Sequence, residues 1–115
     1  MKTYPTINRS IVLIEGKKPF YDWSNAIFPD TAPTQMETVE EHNSYLIEDE
    51  LFFEDTKVAL KKYWKTIFKN ELFSMCTDPE EWPELSWTLF KEWFNFHFSS
   101  VVQDLTEKEL YTEHY

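Results

Sequence analysis

The sequence predicts an α+β fold: a single domain in which a small three-stranded sheet packs against helices, in the order β-α-β-α-α-β. Three observations predict it. Ile11-Val12-Leu13-Ile14 is a β-branched run of strand length. Residues 54–75 carry apolar side chains at a 3.6-residue period. Residues 95–104 alternate apolar and polar. A chain of 115 residues is the size of one domain.

The elements follow in order. Ile11 to Ile14, closed by Glu15-Gly16, reads as a strand buried on both faces and therefore central in its sheet. Pro19 suits a first helical position. Phe20, Trp23, Ile27 and Phe28 continue at helical spacing until Pro29 stops the helix. A loop with Pro33 leads to a short helical turn over Thr38 to His42, then to a second strand at Ser44-Tyr45-Leu46-Ile47. In the long helix, Leu60, Tyr63, Trp64, Ile67, Phe68, Leu72 and Met75 form one stripe. Glu54 and Asp55 stand at its positive end, and Lys57, Lys61 and Lys65 form a ridge on the solvent side.

Thr77-Asp78-Pro79-Glu80-Glu81 reads as a cap followed by a short helical turn with Pro at an early position, and Pro83 ends it. Ser86 caps a helix from Trp87 to about Phe94. Phe96, Phe98 and Val102 then face one way, and Asn95, His97, Ser99 and Gln103 the other, as in a half-exposed third strand running to Asp104. The tail 106–115 is acidic and reads as an exposed helix or a frayed end. The helical crossover makes a parallel pairing of the first two strands the expectation, with the third antiparallel at an edge.

Composition excludes several functions. Gly16 is the only glycine, so neither a GxGxxG nor a Walker phosphate cradle can be built. Cys76 is the only cysteine, which rules out an intrachain disulfide and a Cys-based zinc cluster. Met1 to Ser10 lacks the apolar stretch of a secretory signal, and Ile11 to Ile14 is far too short to span a bilayer. The expectation is a soluble cytoplasmic protein with no membrane partner.

The net charge of −10 disfavours direct binding to nucleic acid. The charge is segregated. Residues 37–55 hold eight acids and no lysine or arginine, and residues 57–69 hold five lysines and no acid. One basic stripe thus lies in an acidic body.

Three segments resemble a known group. They are Lys18-Pro19-Phe20-Tyr21-Asp22-Trp23, Cys76-Thr77-Asp78-Pro79-Glu80-Glu81-Trp82-Pro83, and Trp93-Phe94 through Val102-Gln103-Asp104-Leu105. Together, over most of residues 9–105, they resemble a group of small, acidic, uncharacterised bacterial proteins. The group's last strand has the pattern W-F-D-x-E-x-H-S-x-V-x-D-L. Trp93, Phe94, Ser100, Val102, Asp104 and Leu105 match it, whereas Asn95, His97 and Ser99 depart from its two acids and histidine. The resemblance implies a bacterial origin and no mechanism.

Each candidate site has a plainer counterpart. His97, on the polar side of the third strand, could serve proton transfer with Asp104, or could simply be solvated. His42, His97 and His114 show no metal-ligand spacing, so neither a metal nor a cofactor is expected. Cys76, at the end of the long helix and before Asp78, reads as a small buried apolar residue, not a nucleophile. The lysine ridge reads as a solvated face. Trp82, Trp87 and Trp93 lie within 12 residues and are either core or binding anchors.

The sequence favours a non-catalytic interaction module with a basic protein partner. Its anchors would be Phe52, Phe53, Trp82 and Trp87, and its acidic rim Glu48, Asp49 and Glu50. A nucleic-acid mimic acting through residues 37–55 and a small ligand binder or enzyme at His97 and Asp104 are the alternatives. An exposed edge strand also offers a route to a homodimer.

Overall fold

The computed structural model of the chain describes residues 3–49 and 56–114. It is an α+β protein with a three-stranded antiparallel sheet, and the element order is the one expected. Strand β1 is Arg9–Gly16, helix α1 Lys18–Ile27, strand β2 Asn43–Glu48, helix α2 Thr56–Met75, helix α3 Trp87–Trp93 and strand β3 Phe94–Ser99. Short 3₁₀ turns occupy Met36–Thr38 and Pro79–Glu81.

β1 is central, as its β-branched run requires, and the sheet order is β2-β1-β3. Both pairings are antiparallel. Val12 stands between Tyr45 and Phe98, and Ile14 between Asn43 and Phe96. The parallel pairing of the first two strands expected from the crossover is therefore incorrect. The reason lies after α1. Asn25 grips Thr34 from both sides: its Nδ2 donates to Thr34 O and its Oδ1 accepts from Thr34 N, each at 2.9 Å. The loop is thereby folded back along the helix. It returns the chain to the end of the sheet where β1 finished, so β2 enters in the opposite direction.

The expectation that β1 is buried on both faces is also corrected. Ser10, Val12, Ile14 and Gly16 are buried, while Ile11, Leu13 and Glu15 are only half-buried and Arg9 is exposed. Of the sheet's two faces, only the first belongs to the core. The expected turn over 38–42 is instead the 3₁₀ turn Met36–Thr38. The third strand ends at Ser99, not Asp104. Beyond it, Val102 O accepts from Ile7 N at 2.8 Å, Asp104 N donates to Pro5 O at 2.9 Å, and Gln103 bridges to Thr6. The chain thus pairs with its own N-terminal segment after leaving β1.

The core joins Val12, Ile14, Phe20, Tyr21 and Ile47 to Ala59, Leu60, Ile67, Phe68 and Leu72 of α2 and to Phe90 and Phe94. Aromatic rings carry it through in continuous contact. Phe20 meets Phe94 at 4.8 Å, Phe94 meets Phe90 at 5.4 Å, Phe90 meets Phe96 at 5.2 Å, and Phe68 meets both Phe90 and Phe94. Rings at such spacings add attraction beyond their buried area. The capping expectations hold: Ser86 Oγ accepts from Leu89 N at 3.0 Å, and Asp78 Oδ1 accepts from Glu80 N at 3.0 Å. Both short helical segments therefore begin where a side chain satisfies a free amide. Cys76 is buried, as expected.

Two buried positions on β1 make stability predictions. Ser10 is fully buried, and its Oγ has no hydrogen-bond partner among the described residues. A hydroxyl left unsatisfied in a core costs about 1–3 kcal/mol. Ser10→Ala should therefore raise the midpoint in denaturant, by about 1 kcal/mol in unfolding free energy. Gly16 has the opposite sensitivity. A Cβ there would lie 2.8 Å from Phe20 Cδ2 and 3.0 Å from Tyr21 Cε2 and Oη. Gly16→Ala should cost about 1–3 kcal/mol in the same measurement, because two core rings must move.

Candidate functional site

Helix α2 places a carboxyl group where its stripe calls for an apolar side chain. Glu71 follows Ile67 by four residues and Phe68 by three, so it shares their buried face. It is 6% exposed. A carboxylate at that depth is costly unless it is bonded. Two donors on β2 meet it: Asn43 Nδ2 at 2.6 Å and Tyr45 Oη at 2.5 Å, both on Oε2. Asn70 Nδ2 donates to Tyr45 Oη at 2.8 Å and completes a relay of three side chains ending on the carboxylate. β2 supplies these donors because Asn43 and Tyr45 stand two residues apart and so share one side of the strand.

Glu71 also lines a cleft of about 740 Å³ at the end of the sheet. One wall is apolar, with Ile14, Phe20, Tyr21, Val39 and Met75. The polar lining includes Glu40, Glu41, His42 and Asn43 from the segment entering β2, and Glu71 and Ser74 from α2. Among the described residues the lining contains three carboxylate residues and no lysine or arginine. Gly16 shapes this wall, since its missing Cβ lets the Tyr21 ring lie against β1. Burial raises the Tyr21 phenol above its ordinary pKa, and the negative charges of Glu71 and Glu15 add to the rise. The Tyr45 phenol is pushed up strongly, first by burial and then by its bond to Glu71. Both rings stay neutral, and Tyr45 remains a donor.

The residues singled out from the sequence fall elsewhere. Phe52, Phe53 and Glu50 lie outside the described residues. Trp82 is half-buried against the core, and its Nε1 donates to Cys76 O at 2.8 Å. Trp87 is half-buried as well. It packs on Trp64 and Phe90, with Lys61 Nζ 5.6 Å and Lys91 Nζ 5.4 Å from its ring centre. Part of the lysine ridge thus covers aromatic faces. Glu48 accepts from Lys62 Nζ at 2.9 Å, and the hydrogen bonds from Lys62 and then Tyr63 hold its carboxyl below the usual range. Asp49 is exposed.

His97 and Asp104 do not act on a common point. His97 lies on the open face of the sheet, its Nε2 3.3 Å from Glu15 Oε2. Asp104 Oδ1 accepts from Thr106 N at 2.9 Å and from Thr106 Oγ1 at 3.1 Å, closing its own turn. The acids of residues 37–49 ride on a 3₁₀ turn, a loop and a strand. They therefore do not form a row of one backbone geometry.

Among the described residues no three His, Cys, Asp or Glu side chains gather as a metal-binding group, and no helix is long and apolar enough to cross a membrane. The chain matches no protein-family model, no curated protein and no solved structure.

The tyrosine environments set a pH dependence. A phenol whose pKa is higher folded than unfolded contributes stability that is fully present below the unfolded value of about 10 and is lost as pH rises toward the folded one. Tyr21 and Tyr45 are both shifted upward. Unfolding free energy should therefore decline as pH is raised above about 10. Tyr45→Phe should make that decline shallower. At neutral pH it should also cost about 1.5–3 kcal/mol, the scale of a hydrogen bond to a charged acceptor. Denaturant titrations at a series of pH values read both effects.

Proposed function

We propose that this chain is a non-catalytic, cytoplasmic protein-interaction module whose partner presents a basic surface, and that the partner docks over the cleft. One observation carries the reading. The cleft gathers Glu40, Glu41 and Glu71, with no lysine or arginine among the described residues of its lining. Exposed Glu40 and Glu41 at its mouth meet a partner first. A net charge of −10 extends the attraction beyond contact and accelerates encounter with a cationic surface. The acidic rim of the module is thus assigned to Glu40 and Glu41, because Glu48 already holds Lys62. A catalytic reading has less behind it. Cys76 is buried, and His97 and Asp104 are engaged at separate places.

The reading is tested by co-purification of a tagged chain from native lysate at low and at high salt. A stoichiometric basic partner should be retained at about 0.1 M salt and lost near 1 M, over which the Debye length falls from about 10 Å to about 3 Å. The double variant Glu40→Lys, Glu41→Lys should lose that partner while keeping its fold, because both side chains are exposed. Retention of the partner by the variant, or its indifference to salt, would overturn the assignment.

A further inference from the structure

We infer that the cleft is a socket for a primary alkylammonium group, the side chain of a lysine on a partner polypeptide, with Glu71 as its terminal acceptor. This deepens the reading of the cleft as the docking site and rests on it. The argument starts from the carboxylate. Glu71 is more than nine-tenths buried and lines the cleft. Among the described residues its two hydrogen-bond donors are neutral, and both use Oε2. Neutral donors soften the cost of burying a carboxylate but bring no opposite charge. Oε1 is left as the acceptor for a guest.

The walls suit the rest of a lysine. Phe20, Tyr21, Val39 and Met75 offer apolar surface along which a four-carbon stem can lie. The Tyr21 ring lines the same wall and is neutral, so it brings no charge of its own to the cleft. Glu40 and Glu41 supply the attraction that guides the head group in. About 740 Å³ leaves room for the side chain together with adjoining backbone.

The same geometry selects ammonium over guanidinium. The strong arginine contact is a fork in which two N–H groups meet the two oxygens of one carboxylate. Asn43 and Tyr45 occupy Oε2, so the fork has nowhere to close at Glu71. An ammonium is a compact point charge that needs a single oxygen and can turn its remaining protons to other acceptors.

N-acetyl-L-lysine amide, titrated into the full chain, tests the inference. The readout is the nitrogen-resolved NMR signal of the Asn43 side-chain amide together with the backbone amides of residues 40–43. A saturable shift with Kd of about 1 mM is expected, the scale for a ligand of that size. N-acetyl-L-arginine amide should bind about tenfold more weakly, because its fork is refused. The Nε-acetylated lysine amide, which has no charge, should give no saturable shift. Glu71→Gln should abolish the lysine response. If that variant does not fold, the three-probe comparison on the natural chain decides alone. Arginine binding as tightly as lysine, an equal response to the neutral probe, or no response to lysine would each overturn the inference. If the lysine probe fails while Glu40→Lys, Glu41→Lys still releases the partner, only the socket falls. If the double variant keeps its partner, the broader reading falls.

Discussion

Ser10, Val12, Ile14 and Gly16 project from the central strand to one side, and the core collects there. β1 has a partner along each edge and a cover on one face, so the burial available to the chain is one-sided. That constraint orders the rest. It places Phe94, Phe96 and Phe98 of β3 beside Gly16, Ile14 and Val12, where their rings join the helices' aromatics. It turns His97 and Glu15 outward, where they meet each other. It also obliges the strand to give up a side chain at Gly16, since the first turn of α1 brings Phe20 and Tyr21 down on that position. The single glycine serves close approach; its φ is not positive.

Much of this was legible in the sequence for identifiable reasons. Periodicity and capping are local, so the sequence itself marks a helix opening at Pro19, one within 54–75 and one from Trp87; the first begins one residue earlier, at Lys18. The order of strands along the chain was equally plain. Strand direction was not. A parallel pairing is the ordinary outcome of a helical crossover, and the return of the loop depends on the two bonds between Asn25 and Thr34, nine residues apart, which no local pattern announces. The two-sided burial inferred from Ile11 to Ile14 failed for a related reason. An unbroken apolar run shows that a strand is central, but not that a second layer covers it.

The site was harder to see because its residues are unremarkable one at a time. Glu71 shares the buried stripe of α2 with Leu60, Ile67, Phe68 and Leu72, and its position three and four residues after Phe68 and Ile67 is the available signal. Nothing local announces that Asn43 and Tyr45, 28 and 26 residues away, will meet it. The tryptophans show the converse. Their spacing drew attention, yet Trp82 anchors the turn after α2 and Trp87 is flanked by two lysines. Aromatic excess reflects how this small sheet fills its core.

Charge then separates into two kinds with different consequences. Lys18 with Asp22 and Lys62 with Glu48 are exposed pairs, and solvent screens their attraction. They answer to salt and can be exchanged at little cost to the fold. Glu71 is different because it is only 6% exposed and bonded across two elements. Its bonds to Asn43 and Tyr45 join β2 to α2, so the carboxylate holds the sheet edge to the helix and lines the cleft between them. A group buried in this way stabilises the fold only while its partners are present, which ties the shape of the cleft to the integrity of the network. An apolar residue at position 71 would suit the core as well. It would leave the cleft without a charge at its inner end, and the outer acids without anything to lead a cation toward.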